Sequence, residues 1–218
     1  VWTRLGESQS YGFPKGPIIG PLVIAGLNIN ENKISQLSDL GIKDSKLHTR
    51  KSREILTPKI ISLAKENVLF EISPQEIDSI VLRGKPLRRL NQLEARFVAK
   101  ILDKLKPDVA YVDAPDTSPE RFACQIIQKL SLPIKIISEH KADQKYPIVS
   151  AASIVAKQRR DEVIKNLHEI YGDFGSGYPS DPKTKQFLNK WIVRDGCNLP
   201  IIRRTWKTFK DLESELQL

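Results

Sequence analysis

Two aspartates have the type and setting to do chemistry. Asp113 closes the apolar run Asp108-Val-Ala-Tyr-Val-Asp113, and Asp143 lies inside His140-Lys-Ala-Asp-Gln-Lys-Tyr-Pro147. Isolated aspartates are more often solvated or capping than catalytic. Here the context differs: Asp113 ends a strand-like apolar segment and has no helix to cap. Clustered carboxylates repel one another, and a hard divalent cation such as Mg2+ or Mn2+ offsets that repulsion. Two such ions orient a water and stabilise the attacking and leaving oxygens of a phosphodiester. The three histidines, His48, His140 and His168, show no metal-ligand spacing, so the carboxylates carry the reading.

The surrounding elements alternate between strand and helix signals, which predicts an α/β fold. Leu22-Val-Ile-Ala-Gly-Leu-Asn-Ile29 suits a buried strand, and Asn67-Val-Leu-Phe-Glu-Ile72 reads as another. A helix is expected between Thr49 and Glu66, kinked or split at Pro58. Ser73-Pro-Gln-Glu76 has a capping-box start, and Asn91 to Leu105 shows helical apolar spacing at Leu93, Phe97, Val98, Ile101, Leu102 and Leu105. The strand ending at Asp113 is followed by a helix from Ser118 towards Leu130 and a strand over Pro133–Ser138. Ligands of open α/β sheets collect beyond the carboxyl ends of strands, so Asp113 and the expected loop holding Asp143 fall in one region. A long helix from about Pro147 to Tyr171, a glycine-rich loop and a helix from Pro182 through Trp191 complete the pattern.

With 218 residues the chain suits one compact unit, and no apolar stretch reaches the ~20 residues of a membrane-spanning helix. No secretory signal is read at the start, and the two cysteines, Cys124 and Cys197, suggest reduced thiols and a cytoplasmic setting. A net charge of +9 makes a polyanionic partner plausible, although a basic surface alone is weak evidence for one. The segment Arg203-Arg-Thr-Trp-Lys-Thr-Phe-Lys210 interleaves cations with aromatics, as a base-stacking surface would. Trp206 and Phe209 equally fit the buried stripe of a terminal helix. Nothing suggests a heptad, so a monomer is the default expectation.

Several ordered stretches together resemble ribonuclease HII, the type 2 ribonuclease H, in its archaeal form. They are Gly16-Pro-Ile-Ile-Gly-Pro-Leu-Val-Ile-Ala-Gly26, Lys43-Asp-Ser-Lys46, Leu90-Asn-Gln-Leu-Glu-Ala95, Tyr111-Val-Asp-Ala114, His140-Lys-Ala-Asp143, Ser150-Ala-Ala-Ser-Ile-Val-Ala-Lys157, Arg160-Asp161 and Gly175-Ser-Gly-Tyr-Pro-Ser-Asp181. The resemblance implies an RNase H-like fold, a central mixed sheet flanked by helices with a C-terminal helical segment from about residue 172. It implies an endonuclease that uses Mg2+ or Mn2+ to cut RNA in RNA–DNA hybrids or at ribonucleotides embedded in DNA. Asp113 and Asp143 match the third and fourth of four metal-binding acids. Lys15 and Gly16 match a turn that contacts the 2′-hydroxyl at the RNA–DNA junction, Lys46 a lysine near the bound phosphate, and Tyr178 a tyrosine that packs on the junction sugar. Asp44, Glu94 and Asp161 lie in family motifs and are assigned to supporting hydrogen bonds.

The chain departs from the family pattern at its start. Ungapped alignment puts Tyr11 and Gly12 where the adjacent Asp and Glu should stand, and Pro14 replaces a turn glycine and lacks an N–H donor. Glu7 lies several residues too early, so two of the four carboxylates are not found. The expectation is weak or absent cleavage, with a catalytically inactive hybrid-binding protein as the alternative. Val1–Phe13 resembles no part of the family, and the chain has no methionine. Residues 1–15 are therefore read as an aberrant segment, an altered start or an out-of-frame translation ahead of a single domain from residue 16. Translating the coding DNA in all three frames is expected to reveal an Asp-Glu-Ala-Gly reading just upstream of Lys15, and its absence contradicts that origin.

Overall fold

The computed structural model describes residues 16–42, 48–83, 86–195 and 199–215. Lys15, Lys46, Asp44, Cys197 and the N-terminal departure at Tyr11, Gly12 and Pro14 lie outside them. Among the described residues the chain divides into two compact units, one built from residues within 23–70 and 91–159 and the other from residues within 16–22, 71–90 and 160–215.

The elements run β1 (Leu22–Asn28), α1 (Ile34–Asp39), α2 (Arg50–Leu63), β2 (Glu66–Ile72), α3 (Pro74–Val81), α4 (Pro86–Leu105), β3 (Val109–Asp113), α5 (Pro119–Ile127), β4 (Lys135–Glu139), α6 (Ala142–Lys145), α7 (Pro147–Tyr171), α8 (Pro182–Asp195) and α9 (Lys207–Glu215). Among the described residues the strands pair as β1 with β2 and β3 with β4. The α/β class read from the alternation of signals holds.

In the first unit, β1 is buried along nearly its whole length, as its unbroken apolar sequence requires. Val23, Ala25 and Leu27 pack in one core with Leu56 and Ile60 of α2 and with Val149, Ala152 and Ile154 of α7. The small residues of Ser150-Ala-Ala-Ser153 are all buried, so their size serves close packing. Pro58 neither ends nor splits α2, which is continuous from Arg50 to Leu63. Its missing N–H removes one helical bond, while the packing of Leu56 and Ile60 on either side retains the helix. The substructure that leads to both candidate acids is β3–α5–β4, a parallel pair joined by a crossover helix, with Val109 opposite Lys135 and Asp113 opposite Glu139. Strand alternation turns Ala110 and Val112 into the interior, both fully buried, and leaves Tyr111 and Asp113 on the other face. Helix α5 starts as expected, with the Ser118 side chain accepting from the Arg121 N–H, but ends at Ile127 rather than Leu130.

In the second unit, Ser73 caps α3 through the Glu76 N–H at 3.2 Å. The buried Asp78 of that helix accepts from Arg204 N at 2.8 Å, Thr205 N at 3.1 Å and Thr205 Oγ1 at 2.6 Å, which anchors the lead-in to α9. Helix α8 continues past Trp191 to Asp195. Trp206 and Phe209 are only 2% and 1% exposed, so they belong to the packed interior and offer no base-stacking surface. Arg203, also buried, donates from Nε to the Gly20 carbonyl at 3.0 Å and lies 4.9 Å from the Trp206 ring centroid. Arg203 therefore supports the fold, whereas Arg204, Lys207 and Lys210 are exposed. Trp206→Ala is expected to lower unfolding stability by about 3–5 kcal/mol in urea denaturation, as a large buried aromatic does when truncated; a loss below about 1 kcal/mol would contradict the packing assignment.

Candidate active site

Both candidate acids belong to the β3–α5–β4 region of the first unit. Asp113 is the last residue of β3, and the chain leaves β4 at Glu139 to make a tight reversal before Asp143. That reversal is not the loop expected from the sequence. Lys141 takes a left-handed conformation at φ +54 and opens the four-residue helix α6, on which Asp143 sits. The sequence gives little warning of either feature, since a non-glycine residue rarely adopts positive φ and a single helical turn has no periodicity to read.

The structure brings the segments that carry the two acids to one edge. The Ala142 N–H donates to Asp113 Oδ1 at 3.0 Å, so the residue before Asp143 is bonded directly to the first carboxylate. Asp143 is 6% exposed, whereas Asp113 is half-buried. Burial of a carboxylate is costly unless hydrogen bonds or a cation offset it. Two hard oxygen donors at the carboxyl edge of a parallel strand pair fit Mg2+ or Mn2+ in chemistry. No group of three His, Cys, Asp or Glu side chains arranged to hold a metal occurs among the described residues.

Neighbouring acids have other roles. Glu139, opposite Asp113 in the strand register, accepts from Lys145 Nζ at 2.9 and 2.7 Å and from the Tyr146 hydroxyl at 2.8 Å. The Lys145 and Tyr146 hydrogen bonds hold its carboxyl below the usual carboxylate range, and Glu139 in turn raises Lys145. Asp116, buried in the turn after β3, accepts from Asn91 Nδ2 at 3.2 Å, Ser118 N at 3.2 Å and Arg121, whose guanidinium grips both carboxylate oxygens. Glu94 is fully buried on α4 and Asp161 is half-buried on α7. Sequence reasoning missed Asp116 and Glu139. The Asp-Thr-Ser118 turn before a capped helix was the available signal for Asp116, and nothing in the sequence marks the strand register that selects Glu139.

Of the expected substrate-facing residues, Gly16 and Tyr178 are described, and both lie in the second unit. Gly16 has φ +147, a backbone state that glycine adopts readily. The segment it begins is stitched to the glycine-rich loop, with Ile18 N and Ile19 N donating to Gly177 O at 2.8 and 3.1 Å. A side chain at Gly177 would meet the Ile19 carbonyl at 3.0 Å, so the close approach needs glycine. Tyr178 follows directly, its ring 4.8 Å from the Arg160 guanidinium. Arg160 donates to Ser176 O at 3.1 Å, and Asp181 Oδ2 accepts from Ser176 N at 2.7 Å, which fixes the turn. His168 bonds Gly175 O at 2.8 Å and packs edge-on to Phe174, a packing role consistent with its lack of metal spacing.

The first unit thus carries two aspartates at the carboxyl edge of a parallel strand pair, and the second a glycine-built loop that carries a tyrosine. The family model described as Ribonuclease HII matches residues 14–209. A Ribonuclease HII from Thermococcus sibiricus is 48% identical over 216 residues, covering 98% of this chain and 93% of that protein. The crystal structure of the ribonuclease H2 from Pyrococcus horikoshii OT3 superposes with a TM-score of 0.83 at 41% identity, over 100% of this chain and 99% of that one. The RNase HII in a PCNA complex from Archaeoglobus fulgidus gives a TM-score of 0.78 at 38% identity, over 90% and 91% of the two chains. The chain belongs to the ribonuclease HII family, and its class is that of a hydrolase, an endonuclease of the ribonuclease H type.

The Asp116 cluster yields a pH prediction. Burial raises its carboxyl, but the Arg121, Ser118 and Asn91 hydrogen bonds outweigh burial and leave it below its ordinary value. A depressed folded-state value contributes stability that is complete above the unfolded value of about 3.9 and is lost as pH falls through the folded value. Asp116→Asn is therefore expected to flatten the loss of melting temperature between about pH 5 and pH 2, in the range where a depressed carboxyl titrates. An acid branch unchanged from wild type would refute the assignment.

Proposed function

We propose that the chain's reaction is hydrolysis of the RNA strand at RNA–DNA junctions, in hybrids or at ribonucleotides embedded in DNA, with Asp113 and Asp143 as ligands of Mg2+ or Mn2+. The observation that carries this reading is the Ala142 N–H bond to Asp113 Oδ1, which ties the two acids to one strand edge. When bound, the divalent cations would supply Lewis-acid activation of water and stabilise charge on the phosphodiester oxygens. Asp113 and Asp143 contribute negative charge and fixed oxygen donors. In the same proposal Gly16 and Lys15 meet the 2′-hydroxyl that distinguishes RNA from DNA, Tyr178 packs on the junction sugar, and Lys46 faces a phosphate. The positive φ of Gly16 and the Arg160 hydrogen bond that supports the Tyr178 loop favour the roles of Gly16 and Tyr178. The net charge of +9 suits a polyanionic substrate. A cytoplasmic monomer is part of the same proposal, in keeping with an unpaired, exposed Cys124. No described helix is long and apolar enough to cross a membrane.

The departure at Tyr11 and Gly12 makes a sharp experiment possible. Cleavage of an RNA–DNA hybrid and of a duplex with one embedded ribonucleotide is measured with Mn2+ for the chain as it stands and for a Tyr11→Asp, Gly12→Glu, Pro14→Gly variant. Removing two of four anionic ligands should cost at least about 100-fold in rate, the scale of losing a key electrostatic group. The restored variant is expected to recover that factor and to lose it again with Asp113→Asn. A folded restored variant that stays inactive, or one whose activity survives Asp113→Asn, would sink the proposal.

A further inference from the structure

We propose that Glu139, Lys145 and Tyr146 form a clamp that fixes helix α6 and so sets the position of the Asp143 carboxylate, with Glu139 acting as a positioning residue and not as a ligand. The inference rests on the reading of Asp143 as a metal-binding acid.

Helix α6 has only four residues, Ala142–Lys145, and closes with the Tyr146 N–H on the Ala142 carbonyl at 2.8 Å. A single turn cannot hold itself, because nucleating a helix fixes several dihedrals for each bond gained. Its entry is also strained. Lys141 stands at φ +54 and ψ 36, a left-handed state that a side-chain-bearing residue keeps only where its surroundings over-determine it. Contacts outside the turn must therefore place Asp143.

One contact acts at the start of α6, where the Ala142 N–H meets Asp113 Oδ1. Ala142 is also fully buried in the first unit's core, which seats the same end of the turn. The second acts at the other end, where the Glu139 carboxylate receives Lys145 Nζ on both oxygens and the Tyr146 hydroxyl. Tyr146 is buttressed in turn by Tyr111, with ring centroids 4.5 Å apart, and Lys145 Nζ lies 5.1 Å from its ring centre. Asp113 and Glu139 are register partners on β3 and β4, and Ala114 N donates to Glu139 O at 2.9 Å beside them. The strand pair thus grips α6 at both ends, and strand register fixes Asp143 relative to Asp113.

The bland alternative is a surface ion pair. Lys145 and Glu139 are 60% and 34% exposed at their side chains, and such pairs contribute little to global stability. The clamp therefore predicts a separation of effects, with little change in the unfolding midpoint and a marked change in metal affinity. Outer residues that orient metal ligands typically carry about 10–100-fold in affinity.

The test measures Mn2+ binding to the full chain by electron paramagnetic resonance of free Mn2+, without substrate, alongside urea unfolding. Asp143→Asn is the reference and should weaken binding strongly. Glu139→Gln and Tyr146→Phe are expected to weaken it about tenfold with the unfolding midpoint nearly unmoved, and Lys145→Arg to retain it. Lys145→Gln should also weaken it, whereas Glu139 acting as a ligand, or simple electrostatics, predicts tighter binding once the lysine is gone. Unchanged binding in Asp143→Asn overturns the ligand reading itself. Loss in Asp143→Asn with wild-type affinity in Glu139→Gln and Tyr146→Phe overturns the clamp alone, as does tighter binding in Lys145→Gln.

Discussion

The hydrogen bond from the Ala142 N–H to the Asp113 carboxylate is the constraint on which the site's architecture depends. It joins the end of β3 to the first residue of α6, and so brings together at one sheet edge the segments that carry two acids thirty positions apart in sequence. Parallel pairing makes this possible. A crossover through α5 returns the chain so that both strands point the same way, and their carboxyl ends open on the same side. Buried Ala110 and Val112 hold β3 in place from the interior face, which leaves the opposite face for Tyr111 and Asp113.

Around that edge, the acids divide by what surrounds them. Asp116 is satisfied by an arginine, an amide and a backbone N–H, and its job is to turn the chain from β3 into α5. Glu139 is engaged by a lysine and a tyrosine. A sequence scan that counts carboxylates would treat all four as equivalent.

Much of the fold was legible in the sequence because its signals are local. The unbroken apolar run of β1, the Ser73 and Ser118 caps and the helical stripe of α4 each declare an element within a few residues, and each is found where expected within a few positions. The misses have a common physical origin. Pro58 looked like a break because its cost is local, while the core contacts that retain α2 are distant in sequence. The single turn α6 and its left-handed entry at Lys141 have no periodic signature. The aromatics near the C-terminus read equally as a stacking surface or a core stripe, and only burial decides that they are core. For the site, family resemblance named the residues, but the register that sets Glu139 beside Asp113 exists only in three dimensions.

Metal binding at the strand edge is most directly tested by diffraction from crystals grown with Mn2+, with data collected for the anomalous signal of manganese. An anomalous peak within ordinary metal–oxygen bonding distance of both Asp113 and Asp143 is the predicted result. Side chains that face apart at the ends of β3 and α6, or a peak seated elsewhere with neither aspartate in contact, would contradict it.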